Sequence, residues 1–297
     1  MACKNFFKEN SVKILVTGAS GQLGHDVCRE LDQRGVFYLG TDSKKMDLTN
    51  RDAVMKQVKE YFPDTIIHCA AYTRVDLAED EKELAFSINA DGTRYLAEAC
   101  FEIGAKMLYI STDYVFPGTG NEFYKTNDKT EPLNIYGKSK LQGEKYVQEI
   151  LEKYFIVRIS WVFGSRGNNF VKTMLRLAES SQEVNVVADQ IGSPTYTADL
   201  APLLCDMVDT DKYGIYHASN EGICSWAEFA EEIFRYVKRP ITVHHILTRD
   251  YPTKAKRPLN SRMDKCSLIE AGFSRLPHWK CALKKVMGEL IHETDVN

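Results

Sequence analysis

The 297-residue sequence lacks any run of eighteen apolar residues, any internal repeat and any low-complexity stretch. A helix that spans a bilayer needs about 20 predominantly apolar residues, so no membrane-spanning segment is predicted. Residues 1–10 lack the apolar core of a signal peptide and are expected to form a loosely docked extension. We therefore predict a cytoplasmic protein without a membrane partner.

The cysteines and histidines show no metal-binding or disulfide pattern. The eight Cys are scattered without a C-x-x-C pair, and the seven His are dispersed. Zinc sites and disulfide frameworks need such residues at characteristic spacings, and cytosolic thiols stay reduced. We predict reduced cysteines that pack in the core, and no structural metal.

An excess of charge of one sign is also absent. The formal net charge is -3, and acidic and basic residues are spread along the whole chain. Binding to nucleic acid or to an anionic membrane surface relies on a basic surplus that this sequence does not have. We predict no nucleic-acid partner.

Strands rich in β-branched residues alternate with amphipathic helices through the first half of the chain. This alternation is typical of a parallel, doubly wound sheet. We predict an α/β fold with a Rossmann-type dinucleotide-binding domain over residues 1–165. Residues 166–297 are expected to supply part of the sheet and a smaller C-terminal substrate-binding lobe, interleaved with the first domain. The strands of the first half are predicted at residues 12–17, 36–42, 65–71, 107–112 and 155–163.

The first predicted strand runs directly into a glycine-rich turn, Gly18-Ala19-Ser20-Gly21-Gln22-Leu23-Gly24. Leu23, Val27 and Leu31 follow at helical spacing, which places the glycines between a strand and a helix. Glycine lets the backbone approach a pyrophosphate, and a helix N-terminus offers it free N–H groups and a positive dipole. The turn therefore predicts a dinucleotide site.

The second predicted strand ends in Asp42. A carboxylate at this place can accept hydrogen bonds from the adenosine ribose hydroxyls of a dinucleotide. Lys44 and Lys45 follow at once and could instead bind a 2′-phosphate. NADH and NADPH both stay open as cofactors.

Tyr136 and Lys140 place a phenol and an ammonium one helical turn apart. A lysine at this distance favours ionised tyrosine and lowers a phenol pKa from about 10 towards a range useful for proton transfer. Such pairs arise by chance about once in a chain of this composition. The prediction that this pair is catalytic therefore depends on the residues around it.

The fourth predicted strand ends in Thr112, and ligands collect at the carboxyl ends of strands in such sheets. The Thr112 hydroxyl could bind a substrate carbonyl together with the Tyr136 phenol. A long helix is predicted over residues 81–103, and Pro132 is expected to open the helix that carries Tyr136. Residues 117–131 between them either shape the mouth of the site or form an ordinary connection.

The G-x-x-G-x-x-G turn followed by Thr112, Tyr136 and Lys140 resembles the extended short-chain dehydrogenase/reductase superfamily. Further segments closely resemble the dTDP-4-dehydrorhamnose reductase family, in the same order, from about residue 13 to 291. These segments are AAYTRVD at 70–76, STDYVFPG at 111–118, YGKSKL at 136–141, RISWVFG at 158–164, GNNFVKTM at 167–174, DQIGSPT at 189–195 and RPLNS at 257–261.

The resemblance implies reduction of the C4 ketone of dTDP-4-dehydro-L-rhamnose by NADPH or NADH, the last step of dTDP-L-rhamnose synthesis. It implies that Tyr136 donates the proton, that Lys140 lowers its pKa and holds the nicotinamide ribose, and that Thr112 binds the carbonyl. Asp113 and Trp161 are implied to line the sugar pocket. Cofactor contacts are expected from Gly18, Gly21, Gln22, Leu23, Gly24, Asp42, Asp47, Leu48, Ala71, Tyr72 and Thr73, and from Tyr136 and Lys140.

Three further residues, Met174, Arg257 and Asn260, are candidates for the nucleotide or sugar side, and a structural role for each is equally expected. Some members of the family bind a divalent ion at a dimer interface through acidic residues. Here only Asp26 and Asp199 could serve, so no metal is predicted, and a homodimer is left as a possibility.

Two other functions are compatible with these residues. A sugar-nucleotide epimerase or dehydratase keeps the same Tyr and Lys but retains its NAD. A regulatory subunit similar to the β subunit of methionine adenosyltransferase has this fold without the activity. The presence of Thr112, Tyr136 and Lys140 favours an enzyme.

Overall fold

Six parallel strands form the central sheet of the protein in a computed structural model, which describes residues 12–237 and 240–295. The extension expected at residues 1–10 lies outside the described residues. In chain order the strands are β1 (Lys13–Thr17), β2 (Phe37–Thr41), β3 (Thr65–His68), β4 (Lys106–Thr112), β5 (Tyr154–Ile159), β6 (Val162–Phe163), β7 (Glu183–Val187), β8 (Ile191–Gly192), β9 (Thr195–Tyr196), β10 (Gly214–His217), β11 (Cys224–Ser225), β12 (Thr242–Ile246) and β13 (Asn260–Ser261).

The strand order in this sheet is β10-β5-β4-β3-β1-β2, so the order reverses between β1 and β3. The helices of the described residues are α1 (Gln22–Arg34), α2 (Arg51–Tyr61), α3 (Lys82–Phe86), α4 (Gly92–Ile103), α5 (Ile135–Ile150), α6 (Phe170–Ser180), α7 (Thr197–Val208), α8 (Trp226–Phe234), α9 (Cys266–Glu270) and α10 (Trp279–Asp295). Of these, α1 and α7 pack on one face of the sheet, and α2, α4 and α5 pack on the other.

Alternating residues of the strands pack in two separate apolar layers, one on each face of the sheet. On β1, Ile14 and Val16 pack in one layer with α1 and α7, whereas Leu15 packs in the other with α2, α4 and α5. Because both faces of a parallel sheet are buried here, its strands are almost continuously apolar. The predicted doubly wound, Rossmann-type α/β fold is confirmed.

The residues after 165 contribute to both parts of the molecule. β10 joins the edge of the six-stranded sheet beside β5, and α7 packs against α1. A further apolar core, between α6, α8, α10 and β7, forms the smaller lobe. No helix in the described ranges is long and apolar enough to cross a bilayer.

The predicted strand at residues 155–163 is wrong as a single element. β5 ends at Ile159, and the chain resumes as β6, which pairs with β9 outside the sheet. The break lies at Trp161, whose φ of 50° is in the left-handed region, which an extended strand does not use. The interruption carries the chain from the sheet into the smaller lobe.

Three other predicted elements differ from the structure. The helix expected over 81–103 contains a π-helical turn, Ser87–Asp91, between α3 and α4. α5 begins at Ile135 rather than at Pro132, because the Asn134 side chain accepts a hydrogen bond from the Gly137 N–H at 2.8 Å and caps the helix. β3 ends at His68, three residues before its predicted end.

Candidate active site

A cleft of about 620 Å³ opens at the carboxyl ends of the strands, where the strand order reverses. Gly18 follows β1, Ala70 lies beyond β3, Thr112 ends β4 and Ile159 ends β5, so four adjacent strands contribute to its lining. Ligands of open α/β sheets bind at this position. A pocket of about 170 Å³ adjoins the cleft and shares Gly18 and Asp42 with it.

Most of the predicted site residues line these two spaces. The pocket is lined by Asp47 and Leu48. Gly24 and Tyr72 are not part of either lining. The predicted residues that line the cleft are Gly18, Gly21, Gln22, Leu23, Asp42, Ala71, Thr73, Thr112, Asp113, Tyr136, Lys140 and Trp161.

The glycine turn is compressed between β1 and α1. Gly18 has a φ of 68°, and a Cβ on it would lie 2.7 Å from the Ala70 nitrogen. A Cβ on Gly24 would lie 2.1 Å from the Gly18 carbonyl oxygen, so side chains at both positions are blocked by backbone. The N-cap of α1 is Gly21, which has no side chain to occupy the first N–H groups. The turn therefore fits the pyrophosphate of a dinucleotide.

Asp42 and Asp47 line the adjoining pocket, and each carboxylate accepts hydrogen bonds from residues that follow it closely in the chain. Asp42 Oδ1 accepts hydrogen bonds from the backbone N–H of Lys44 at 3.0 Å and of Lys45 at 3.1 Å. Asp47 Oδ1 accepts from the N–H and hydroxyl of Thr49, which lowers the pKa of Asp47. These bonds hold two carboxylates at the end of β2, where a ribose would lie.

Gln22 joins the glycine turn to the smaller lobe. Its amide nitrogen donates to the Asn168 carbonyl at 3.3 Å, and its Oε1 accepts from Asn169 Nδ2 at 2.9 Å. The same Asn169 caps α6 by accepting from the Lys172 N–H. Gln22, which is expected to contact the cofactor, thus also connects the two lobes.

Asn89, in the π-helical turn, fixes the backbone around Tyr72. Its Oδ1 accepts from the Tyr72 N–H at 2.7 Å, and its Nδ2 donates to the Tyr72 carbonyl at 3.1 Å and to Ser139 Oγ at 3.0 Å. Ser139 in turn donates to the Tyr136 carbonyl. Asn89, which is fully buried, therefore holds residues 71–73 in register with α5.

Tyr136 lies in the first turn of α5, with its ring edge-on to Tyr114 at 5.6 Å between centroids. Burial raises the pKa of Tyr136, and the Asp113 carboxylate raises it further. The effect of Lys140 on this pKa stays a prediction from the sequence. The phenol keeps its proton at neutral pH, which is the form that a proton donor needs.

Lys140 is buried one turn farther along α5. Its Nζ lies 4.1 Å from the centroid of the Tyr109 ring, a cation–π contact. Burial lowers the pKa of Lys140 to about 7, against the effect of the Glu144 carboxylate, which raises it. The charge of this ammonium therefore depends on its neighbours within the physiological pH range.

Thr112 and Asp113 form a hydrogen-bonded pair at the end of β4. Thr112 Oγ1 donates to Asp113 Oδ1 at 3.0 Å and accepts from the Tyr114 N–H at 3.2 Å. Asp113 is 4% exposed, and burial raises the pKa of its carboxyl to about 6. The pair places a hydroxyl and an acid beside the Tyr136 phenol.

Asp113→Asn is expected to stabilise the fold at neutral pH. A carboxyl whose folded pKa lies near 6, above its ordinary value of 3.8, favours folding when protonated and opposes it progressively as the pH rises from 4 to 6. The neutral amide removes this penalty, so the free energy of unfolding at pH 7.5 should rise by about 2 kcal/mol. Urea unfolding of both proteins at pH 4 and pH 7.5 measures the difference.

Asp47→Asn is the control for this substitution, because the pKa of Asp47 is lowered rather than raised. It should give no gain in stability at pH 7.5. If the Asp113→Asn protein is no more stable than the parent at pH 7.5, the buried Asp113 carboxylate does not destabilise the fold as expected.

Two stacked tryptophans form the wall of the cleft on the side of the smaller lobe. The rings of Trp161 and Trp226 lie 3.7 Å apart with an interplanar angle of 12°, and Phe170 packs on Trp226 at 4.6 Å. The Trp226 indole N–H donates to Gln190 Oε1 at 3.2 Å. A Cβ on Gly192 would meet the Trp161 ring at 2.8 Å, so only glycine leaves room for this ring.

The sequence-based predictions missed two lining residues of this wall, Asn168 and Trp226. Asn168 belongs to the GNNFVKTM segment, in which only Met174 was considered for a role. Trp226 opens α8 after a Ser225 capping box, a pattern that predicts a helix start and nothing about a ligand.

Met174, Arg257 and Asn260 do not line the cleft. Met174 is buried in the core of the smaller lobe. Arg257 pairs with Asp76 at 2.5 Å and donates to Tyr114 Oη at 3.2 Å. The Asn260 side chain donates to the carbonyls of Thr119 and Glu122. The structure gives all three residues internal partners.

The loop at residues 117–131 packs against the segment around Asn260 and does not line the cleft. Tyr124 stacks on Phe116 at 4.4 Å, and its backbone pairs with that of Met263. Of the two expectations for this loop, the structure favours an ordinary connection.

Asp26 and Asp199, the acidic candidates for a metal, each have an internal cation. Arg29 lies 3.3 Å from Asp26, and the Lys285 ammonium lies 2.7 Å from Asp199. Among residues 12–237 and 240–295 no group of three or more His, Cys, Asp and Glu could hold a metal ion.

The doubly wound sheet, the compressed glycine turn and the buried Tyr136 and Lys140 at one cleft define a protein of the extended short-chain dehydrogenase/reductase class. The family model described as RmlD substrate binding domain matches residues 12–291. The chain belongs to this family, and the resemblance found in the sequence is confirmed.

Relatives match over nearly the whole chain. A dTDP-4-dehydrorhamnose reductase of Aggregatibacter actinomycetemcomitans is 43% identical over 92% of this chain and 98% of its own length. The Bacillus subtilis spore coat polysaccharide biosynthesis protein SpsK is 43% identical over 93% of this chain and 97% of its own. The crystal structure of Bacillus anthracis dTDP-4-dehydrorhamnose reductase in complex with NADP superimposes with a TM-score of 0.92 at 46% identity, covering 94% of this chain and 100% of that one.

Proposed function

We propose that the protein reduces the C4 ketone of dTDP-4-dehydro-L-rhamnose to dTDP-L-rhamnose, with NADPH or NADH as the reductant. The observation that carries this proposal is the placing of Thr112, Tyr136 and Lys140 in one cleft with the glycine turn. The names of the relatives and the NADP complex of the Bacillus anthracis enzyme support the reaction and the cofactor.

The cofactor binds along the carboxyl edge of the sheet. The N-terminus of α1 would receive the pyrophosphate, Asp42 would bind the adenosine ribose, and Lys140 would hold the nicotinamide ribose. When bound, the reduced nicotinamide supplies the hydride that goes to the ketone carbon. Asn89 fixes the backbone at Tyr72, between the lining residues Ala71 and Thr73, which would contact the cofactor.

Tyr136 completes the reaction by donating its phenolic proton to the oxygen that was the ketone. Because burial keeps the phenol neutral, the proton is present when the substrate arrives. The Thr112 hydroxyl, on turning its proton from Asp113 to the same oxygen, polarises the carbonyl before transfer. Lys140, when charged, stabilises the tyrosinate that remains.

The deoxysugar lies between Asp113 and the tryptophan wall. The Asp113 carboxyl is positioned by Thr112 to accept hydrogen bonds from sugar hydroxyls. Trp161, packed on Trp226, offers an apolar surface suited to the less polar face of a sugar ring. A cytoplasmic location and a homodimer stay predictions from the sequence.

The test is to mix the purified protein with dTDP-4-dehydro-L-rhamnose and with NADPH or NADH, and to follow absorbance at the reduced nicotinamide band. Steady, stoichiometric oxidation with formation of dTDP-L-rhamnose is expected. An epimerase or dehydratase would release product without net oxidation, and a regulatory subunit would oxidise neither cofactor. Either of these results rejects the proposed reaction.

A further inference from the structure

A chain of buried hydrogen bonds runs from the end of β1 to the first turn of α4, with His68 at its centre. His68 is the last residue of β3 and is 1% exposed. Its Nδ1 lies 2.6 Å from Thr17 Oγ1, and its Nε2 lies 3.1 Å from Thr93 Oγ1. The ring also stacks on Tyr109, with 5.5 Å between the centroids. None of these side chains has a part in the proposed reaction.

The direction of these hydrogen bonds follows from the end of the chain at α4. The Thr93 hydroxyl donates its proton to the Asn89 carbonyl at 2.7 Å, so its oxygen accepts from His68 Nε2. Burial, and then the charge of Lys140, lower the pKa of His68 well below its usual value, so the ring is neutral and carries its one proton on Nε2. Nδ1 is therefore an acceptor, and it takes the proton of the Thr17 hydroxyl.

The Thr17 hydroxyl joins this chain to the wall of the cofactor cleft. With its proton turned to His68, its oxygen accepts from the Ala70 N–H at 3.2 Å. Thr17 directly precedes Gly18, and a Cβ on Gly18 would lie 2.7 Å from the Ala70 nitrogen. Gly18 and Ala70 line both the cleft and the adjoining pocket. The hydrogen bond from Ala70 to Thr17 therefore fixes the spacing of two backbone segments on which a dinucleotide would lie.

An acceptor at the position of His68 Nδ1 is what orients the Thr17 hydroxyl. A hydroxyl hydrogen rotates to the acceptor that it can reach, and the lone pairs of the oxygen turn with it. Without that acceptor, nothing in this chain directs the oxygen at the Ala70 N–H. A buried N–H that loses its acceptor is costly, so the end of β3 should shift from the glycine turn.

We propose that His68 is a positioning residue for the dinucleotide site, because it aims the Thr17 oxygen at the Ala70 N–H and so sets the spacing between the glycine turn and the end of β3. This inference rests on the proposed function for the identity of the dinucleotide. The hydrogen bond to Thr93 holds the plane of the ring, and Tyr109 supports one of its faces.

His68→Asn and His68→Gln separate the roles of the two ring nitrogens. The shorter Asn side chain places its oxygen where Nδ1 lies, so it can accept the Thr17 proton but cannot reach Thr93. The longer Gln side chain reaches Thr93 and leaves Thr17 without its acceptor. The affinity for NADPH, titrated by nicotinamide fluorescence without any sugar nucleotide, should fall about five- to tenfold in His68→Gln. In His68→Asn it should stay within about twofold of the parent value.

The melting temperatures of the same two variants distinguish positioning from support of the core. Asn leaves the larger cavity beside Tyr109, so His68→Asn should have the lower melting temperature. The proposal thus requires that the less stable variant binds NADPH more tightly. If His68 only supports the core, affinity will fall with stability. Equal affinities, or weaker binding by His68→Asn, would overturn the proposal.

Thr17→Val and Thr17→Ser test the same hydrogen bond from its other side, and they decide the question if His68→Gln does not fold. Valine keeps the shape of the side chain without the hydroxyl, so Thr17→Val should lose NADPH affinity as His68→Gln does. Serine keeps the hydroxyl and loses the methyl group, so Thr17→Ser should bind NADPH nearly as the parent does. Equal affinities in these two variants would contradict the role of the hydrogen bond.

The measurement of NADPH binding without a sugar nucleotide lets the two proposals fail separately. A parent protein that binds NADPH but does not reduce dTDP-4-dehydro-L-rhamnose would reject the proposed function and not the role of His68. A parent protein that reduces the ketosugar, with NADPH affinity unchanged in His68→Gln and Thr17→Val, would reject only the role of His68.

Discussion

Tyr136→Phe is expected to lower kcat by about 10²- to 10⁴-fold, the range that a positioned proton donor contributes. The phenyl ring keeps its contact with Tyr114 and the packing of α5, but it has no proton to give to the new alkoxide. Affinity for NADPH should be nearly unchanged, since Lys140 and the glycine turn are intact. Single-turnover oxidation of bound NADPH separates the chemical step from binding.

Tyr114→Phe is the matched control for this substitution. Tyr114 is the ring partner of Tyr136, and its hydroxyl is held by Arg257 at 3.2 Å. Removing that hydroxyl takes away one hydrogen bond and no proposed proton, so the fall in kcat should be far smaller. Similar rates for Tyr136→Phe and the parent protein would remove Tyr136 from the mechanism.

Gly24→Ala is expected to damage both the fold and the cofactor site. The added methyl would lie 2.1 Å from the Gly18 carbonyl oxygen and 3.0 Å from Ala19 Cα, and these backbone atoms cannot move without opening the turn. Such overpacking costs about 1–3 kcal/mol of stability. The displaced turn should weaken NADPH binding at least about tenfold, which corresponds to about 1.4 kcal/mol.

Gly288→Ala makes the same change in another helix, α10, where a Cβ meets nothing within 4 Å. Alanine is a better helix former than glycine, so this variant should gain about 0.5–1 kcal/mol and bind NADPH as the parent does. Thermal unfolding should show a loss of stability for Gly24→Ala and a gain for Gly288→Ala, and NADPH titration should show weaker binding only for Gly24→Ala. Equal changes in the two variants would mean that the lack of space around Gly24 is not the cause.

The glycine turn of the proposed cofactor site was predictable because its signals are local. The run from β1 through Gly18 and Gly24 into α1 is a strand, a tight turn and a helix within a short stretch. Backbone geometry and burial impose that pattern on the sequence directly. The alternation of strands and helices then implied the parallel sheet, and the sheet implied where its ligands collect.

The substrate half depended on contacts between distant segments. For Arg257, a place at the nucleotide or sugar side and a structural role were equally expected, and its contacts with Asp76 and Tyr114 favour the structural role. Trp161 was predicted in the sugar pocket, yet the stacking of Trp226 on it could not be read from the chain. The left-handed backbone at Trp161, which ends β5, has no local sequence signal either.

Tyr136 and Lys140 show most clearly which properties the sequence determined and which the tertiary structure decided. The sequence by itself determined that a phenol and an ammonium share a helical face behind a dinucleotide turn, because helical spacing is a local property. Only the tertiary structure decided their pKa values. Burial raises the pKa of Tyr136, and burial lowers the pKa of Lys140 to about 7. Desolvation is set by everything that packs around a group, and that packing comes from segments far apart in the chain.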